Sequence, residues 1–230
     1  MSTPSSTRSQ TISRRTLLQG LTALGVGATL FGAAGCESAV SQANSATDTS
    51  TPQRGGTIQA GIGADVIPGN FLTNSNTGIT TIIGLAYDFL IRYPNDKVEP
   101  TASLAKSWQL AKDGKSLSLE LRDDVKFHSG RQFTSKDVEF SVKTYADPLW
   151  TAQLRSTAAA ITSFDTSDSH RITLGFAHPL GNIFDLLDTV PILDSESIDQ
   201  LRTGAEFVGT GPFKVTGWKP GTSISFVRND

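Results

Sequence analysis

The chain has 230 residues, with 20 Lys and Arg against 22 Asp and Glu. Three of those basic residues fall in the first 35 positions, which hold no acidic one, so the remainder is mildly acidic and does not suit nucleic acid, whose phosphates call for clustered Lys and Arg. A single cysteine, Cys36, excludes an internal disulfide framework and zinc sites built on several thiolates.

The first 35 residues have the layout of an export signal. Arg14 and Arg15 stand before an apolar run rich in Leu, Ala and Gly that extends to Gly35. Positive charge followed by a short apolar segment and then small residues is the physical pattern of a signal peptide. The paired arginines resemble the twin-arginine signal, with Leu17 where Phe is common. Ala33-Ala34-Gly35-Cys36 resembles a lipobox, so Cys36 is the expected lipid attachment point and the membrane is reached through that anchor. The competing reading is an uncleaved membrane anchor with an inert thiol; the run is broken by glycines and sits at the short edge of a spanning helix. Residues 36–53 are rich in Ser, Thr, Ala, Asn and Gln, cannot bury enough apolar surface to offset ordering entropy, and read as a flexible tether.

A folded body is therefore expected from residue 54. A short strand over 57–61 follows a Gly-Gly turn, and a polar loop over 70–78 comes next. Ile79, Ile82, Ile83, Ala86 and Leu90 recur at helical spacing, predicting a helix over 79–90. Residues 106–122 predict a β-hairpin: Trp108 and Leu110 alternate on one arm, Leu117, Leu119 and Leu121 on the other, with Asp113-Gly114 between. The apolar sides of both arms should face a core. Thr134 is the expected N-cap of the next helix, with Asp137 as the acid of a capping box and Phe133 and Val138 as the staple pair; Pro148 stops it. Ile172, Leu174 and Phe176 predict a strand, Ile183, Leu186 and Leu187 a short helix. Phe213 and Val215 begin a strand, residues 219–222 have the Pro and Gly of a type II turn, and Ile224 and Phe226 lie on a last strand. Both periods occur, so the class is mixed α and β.

In the order Gly55-Gly56-Thr57-Ile58, Leu104-Ala105-Lys106-Ser107-Trp108, Asp113-Gly114-Lys115, residues 121–130, residues 133–138, Gly209-Thr210-Gly211-Pro212-Phe213-Lys214-Val215 and Val227-Arg228-Asn229, the chain resembles the family 5 extracellular solute-binding proteins. The resemblance implies an α/β type II periplasmic-binding-protein-like fold, here the first lobe with its amino-terminal subdomain and without the second lobe. Residues 54–66 and 208–230 would belong to the main lobe and 67–207 to an inserted subdomain, and 104–138 and 209–229 would pack into one mixed-sheet body. It further implies capture of peptides or similar small solutes outside the cytoplasmic membrane, as a monomer serving an ABC permease and ATPase, with no catalysis and no cofactor. Nickel, another metal chelate or an oligosaccharide is the alternative cargo; a non-functional truncated product and an exported hydrolase are the alternatives of another kind. No Gly-x-Ser-x-Gly elbow supports the hydrolase.

Few residues stand out as site candidates. Trp150, in a loop after the Asp147-Pro148 helix stop, can stack on a ligand or plug the core. Asn74 and Asn76 lie in the loop after the first strand, with ordinary surface as the plainer reading. Asp123, Asp124 and His128 read as a strand end and turn, since catalysis needs convergent groups in a pocket. His128, His170 and His178 match no familiar metal-ligand spacing.

Overall fold

A computed structural model describes residues 55–73, 76–150 and 152–230. Residues 55–57 carry no regular structure, and 58–230 form a separate unit. The centre of that unit is a four-stranded antiparallel sheet in the order β3-β4-β6-β5. β3 is Ala105–Leu110, β4 Ser116–Leu121, β5 Ile161–Asp168 and β6 Arg171–Phe176. The predicted hairpin is present, with Trp108 opposite Leu119 and Leu110 opposite Leu117. Its loop closes through Gly114, whose φ of 68° is left-handed, and through the Lys115 amide donating to the Asp113 carboxylate.

The two arms contribute unequally. On β4, Leu117, Leu119 and Leu121 are all buried, each worth about 1.5–3 kcal/mol. On β3 only Ala105 is buried, Trp108 is half-covered and Leu110 is exposed. The expectation that both arms face the core is thus corrected: β3 is an edge strand and β4 holds the sheet. β5, the opposite edge, has no apolar alternation in its Ile-Thr-Ser-Phe-Asp-Thr-Ser-Asp sequence and was not foreseen.

Helix α1 is Thr77–Ala86. The Asn76 side chain caps it by accepting from the Ile79 amide at 2.9 Å. It ends four residues before the predicted end, because Tyr87 turns to extended backbone. Leu90 is buried from the following segment, where the Ala105 amide donates to its carbonyl. Two short strands follow, β1 (Ile91–Arg92) and β2 (Thr101–Ala102), paired to each other.

Helix α2 is Ser135–Ala146, and its start is as the sequence predicts. The Asp137 carboxylate accepts from the Thr134 amide at 2.8 Å and from its hydroxyl, and Phe133 and Val138 are both fully buried. Val138, Val142 and Tyr145 form the buried stripe, which lies against β5 and β6. Ser135 ties the helix start to the β5–β6 turn: its amide and hydroxyl donate to the Ser169 and Asp168 carbonyls. A 3-10 turn, Pro148–Trp150, ends this stretch. Short helices α3 (Arg155–Ala159), α4 (Ile183–Thr189) and α5 (Ile198–Thr203) complete the helical layer; of these only α4 was predicted.

The chain closes with β7 (Phe213–Lys219) and β8 (Ser223–Arg228). Their turn is the predicted one, with the Thr222 amide donating to the Lys219 carbonyl and Gly221 at φ 68° after Pro220. Three further expectations are corrected. No strand forms over 57–61, where Ile58 is 95% exposed, since among the described residues no segment pairs with it. The loop expected over 70–78 is corrected at both ends: a 3-10 helix, Pro68–Thr73, forms with burial of Phe71 and Leu72, and α1 begins at Thr77, while residues 74 and 75 lie outside the described residues. Residues 104–138 and 209–229 share the unit but not a sheet: β7 and β8 make a separate two-stranded antiparallel ribbon.

Candidate functional site

Two of the stretches that carry the family resemblance, 121–130 and 209–215, meet in space. Residues 126–132 fold back on themselves, with the Phe127 amide donating to the Arg131 carbonyl and the Gly130 amide to that of Phe127. Gly130 sits at φ 89°, a left-handed position suited to glycine. The turn projects His128 onto the backbone before β7. The His128 amide donates to the Gly209 carbonyl at 2.8 Å. The Gly209 amide donates to His128 Nδ1 at 3.3 Å, and His128 Nε2 lies 2.9 Å from the Gly211 carbonyl oxygen.

This geometry fixes the tautomer. Nδ1 accepts, so it carries no proton; Nε2 faces a carbonyl, so it must. Burial lowers the pKa of His128; Lys214 acts in the same direction, while the Gly211 hydrogen bond and Asp88 oppose it. With both nitrogens engaged, the neutral ring is turned to this backbone rather than presenting a free nitrogen to the cavity. The loop is held from its other side as well: the Gly211 amide donates to the Ala86 carbonyl, the Thr210 hydroxyl to Asp88, and the Asn229 amide nitrogen to the Gly211 carbonyl. Beside this junction lies a cavity of about 450 Å³ whose lining includes Asp88, Arg122, Lys126, His128, Thr210 and Lys214.

A second cluster stands next to it. Arg131 reaches both Asp137 and Asp194, at 2.6 and 2.8 Å, and its guanidinium lies over the Phe127 ring. Ser129 donates to Asp194 and the Glu196 amide does so too, so both carboxylates are buried but fully occupied. Burial opposes the charge on Arg131, yet its hydrogen bonds to Asp137 and Asp194 outweigh that and raise its pKa. The arrangement joins the 129–131 turn, the start of α2 and the segment before α5; it is a structural lock.

Asp65 supplies a third tie. It accepts from Trp218 Nε1 at 3.0 Å and from the Gly221 amide, fastening the start of the unit to the β7–β8 turn. Those bonds, Gly221 first, hold its carboxyl below the usual carboxylate value. The tie is therefore complete above about pH 3.8 and is lost as pH falls through the lower folded-state value. Asp65→Ala is expected to accelerate exchange of the Trp218 indole N–H, seen by NMR, and to leave the indoles of Trp108 and Trp150 unchanged.

The candidates singled out in the sequence are not brought together with these ties. Asn76 is the cap of α1. Trp150 is 2% exposed, lies under the Arg202 guanidinium at 5.6 Å, and its Nε1 has no partner among the described residues. Asn74, Cys36, Arg14 and Arg15 lie outside the described residues. Among the described residues no group of three or more His, Cys, Asp or Glu is placed to hold a metal ion, and no helix is long and apolar enough to cross a membrane. From the sequence His128 reads as a turn residue, because nothing local signals a contact 81 residues away.

Comparison with known proteins gives the junction its context. Residues 99–230 match the family described as bacterial extracellular solute-binding proteins, family 5 Middle. The chain belongs to that family. It is 28% identical over 233 residues to the oligopeptide-binding protein AppA of Bacillus subtilis, covering 94% of this chain but only 41% of AppA. Among solved structures it resembles AgaA of A. tumefaciens R10, determined with agropinic acid, at 27% identity and a TM-score of 0.62, over 70% of this chain and 33% of AgaA. It also resembles NikZ of Campylobacter jejuni, determined with Ni(L-His), at 28% identity and a TM-score of 0.57, over 63% of this chain and 30% of NikZ. The chain thus spans about two fifths or less of these solute-binding proteins, and its mixed α/β fold is part of the type II periplasmic-binding-protein fold.

Proposed function

We propose that the chain forms the first lobe of the substrate-binding component of an ABC importer, capturing peptides or similar small solutes outside the cytoplasmic membrane for a permease and ATPase. The family match over 99–230 carries this reading. Identity to an oligopeptide-binding protein along nearly the whole chain favours peptides as the cargo. In such a clamp, ligand touching both lobes is held only in the closed form and so shifts the population toward closure. Export through Arg14 and Arg15 and anchoring through Cys36 belong to the same proposal, which places the protein at the cell envelope as a lipid-tethered monomer.

Within it, 54–66 and 208–230 belong to the main lobe and 67–207 to an inserted subdomain. The bonds from Asp65 to Trp218 and Gly221 support grouping the two outer segments, and the four-stranded sheet lies wholly within the inner one. Trp150, Asn74 and Asn76 remain the proposed ligand contacts; Trp150 offers an unpartnered Nε1 and would have to be uncovered to use it. A nickel complex is the second reading, favoured by the likeness to NikZ.

Calorimetry tests both readings. The 230-residue chain is expected to give no saturable heat with short peptides, since it spans only part of the length of its relatives. The protein purified from its native source, at the length found there, is expected to bind peptides one to one. Tight binding by the 230 residues would disprove the need for a second lobe. Binding of nickel–histidine in place of peptides would overturn the choice of cargo.

A further inference from the structure

We propose that His128 is a proton-sensitive clip: with its ring neutral it holds the 209–211 backbone against the 127–130 turn, and protonation of Nδ1 breaks its bond to the Gly209 amide and loosens that loop on the His128 side. The device lies in the fold and does not depend on which solute is bound.

The argument begins with the donors and acceptors. Nδ1 of His128 faces the Gly209 amide, a donor, and Nε2 faces the Gly211 carbonyl. A neutral ring satisfies both. A protonated ring keeps the second bond and turns the first into one donor aimed at another, whatever the surrounding charges. The loop cannot absorb that repulsion by sliding toward α1. A Cβ built on Gly209 would stand 2.0 Å from the Ala86 carbonyl oxygen, and one on Gly211 would stand 2.6 Å from the Ala86 carbonyl carbon.

The charged neighbours do not stabilise an imidazolium strongly. Asp88 is the favourable one and already accepts from the Thr210 hydroxyl; Lys214 opposes it. Around the same cavity Arg122 is paired with Asp124 through two hydrogen bonds, and Lys126 and Asp230 complete the charged lining. Burial comes first among the causes that lower the His128 pKa from its ordinary 6.5. The contribution of the clip is therefore whole above about pH 6.5 and declines as pH falls from there through the folded-state value. The loosened loop stands just before β7, at the boundary between the two segments proposed to lie in different parts of the lobe.

The test is NMR on the full 230-residue chain between roughly pH 8 and 5, the range over which histidine changes charge. The imidazole nitrogen shifts of His128 are expected to report the Nε2–H tautomer near neutral pH. As the ring titrates, exchange of the Gly209 amide, corrected for its intrinsic pH dependence, should rise roughly tenfold, the loss of one hydrogen bond. Leu119 and Leu174, within the sheet, should not follow. His128→Gln, which keeps an acceptor and a donor but cannot titrate, should abolish the pH dependence at Gly209. An Nδ1–H tautomer, or Gly209 protection that stays constant while the ring titrates, overturns the proposal, as does an undiminished dependence in the variant. If the variant does not fold, the two wild-type measurements decide alone.

Discussion

Arg131→Ala is expected to lower the stability of the described unit by about 3–5 kcal/mol, the cost of leaving a buried charge uncompensated. Urea unfolding would read this as a fall in midpoint with little change of slope. The reason is the pair of carboxylates that Arg131 serves. Asp137 and Asp194 are each 2% exposed, and both lose their cationic partner in the variant. Asp137 would keep its bonds from Thr134, and Asp194 those from Ser129 and the Glu196 amide, so neither is stripped bare. The net charge left behind is the expensive part. Changing Arg131 to Met together with Asp137→Asn and Asp194→Asn removes that charge while keeping much of the hydrogen bonding. The triple variant is expected to be more stable than the single one. A triple variant as unstable as Arg131→Ala, or worse, would show that the attraction itself and not the stranded charge accounts for the loss.

This lock illustrates which parts of the molecule could be read from the sequence. The start of α2 was legible because its signals lie within six residues: Phe133, the Thr134 cap, Asp137 three positions on, and Val138. The turn at 219–222 was legible for the same reason, Pro and Gly standing side by side where the dihedrals require them. The β3–β4 hairpin was visible in its alternation, though not which arm would be buried. Elements whose pattern is set by distant partners were missed. β5 reads as polar because it is an edge strand with Ser, Thr and Asp along its exposed positions, and it is held by pairing to β6. The segment 57–61 has the local pattern of a strand, yet Ile58 stands in solvent because a strand needs a neighbour and none of the described residues provides it. The ties were the least legible. Arg131 and Asp194 are 63 positions apart, Asp65 and Trp218 are 153, and a single sequence records neither proximity. Both 121–130 and 209–215 carry the family resemblance, but nothing in the sequence says that they touch.

Gly209→Ala is the other substitution expected to cost heavily, about 3 kcal/mol, at the upper end of what overpacking usually costs. The added Cβ would stand 2.0 Å from the Ala86 carbonyl oxygen, with the Ala86 carbonyl carbon and the Tyr87 ring each 2.9 Å away. Two of those three atoms are backbone at the end of α1, so no rotamer change relieves the contact. Either the helix end or the loop must move, and moving the loop breaks its bonds to His128. Gly217→Ala is the matched control: its Cβ would meet nothing within 4 Å, and residue 217 lies in β7, where alanine is no worse than glycine. It is expected to be neutral to within about 0.5 kcal/mol. Thermal or urea unfolding of the pair separates crowding at the junction from a general glycine-to-alanine effect. Equal losses in both variants, or none in Gly209→Ala, would mean that the loop before β7 is not pinned against α1. In that case the His128 turn would be holding a mobile strand, and the close approach of the two motifs would no longer explain why a glycine stands at position 209.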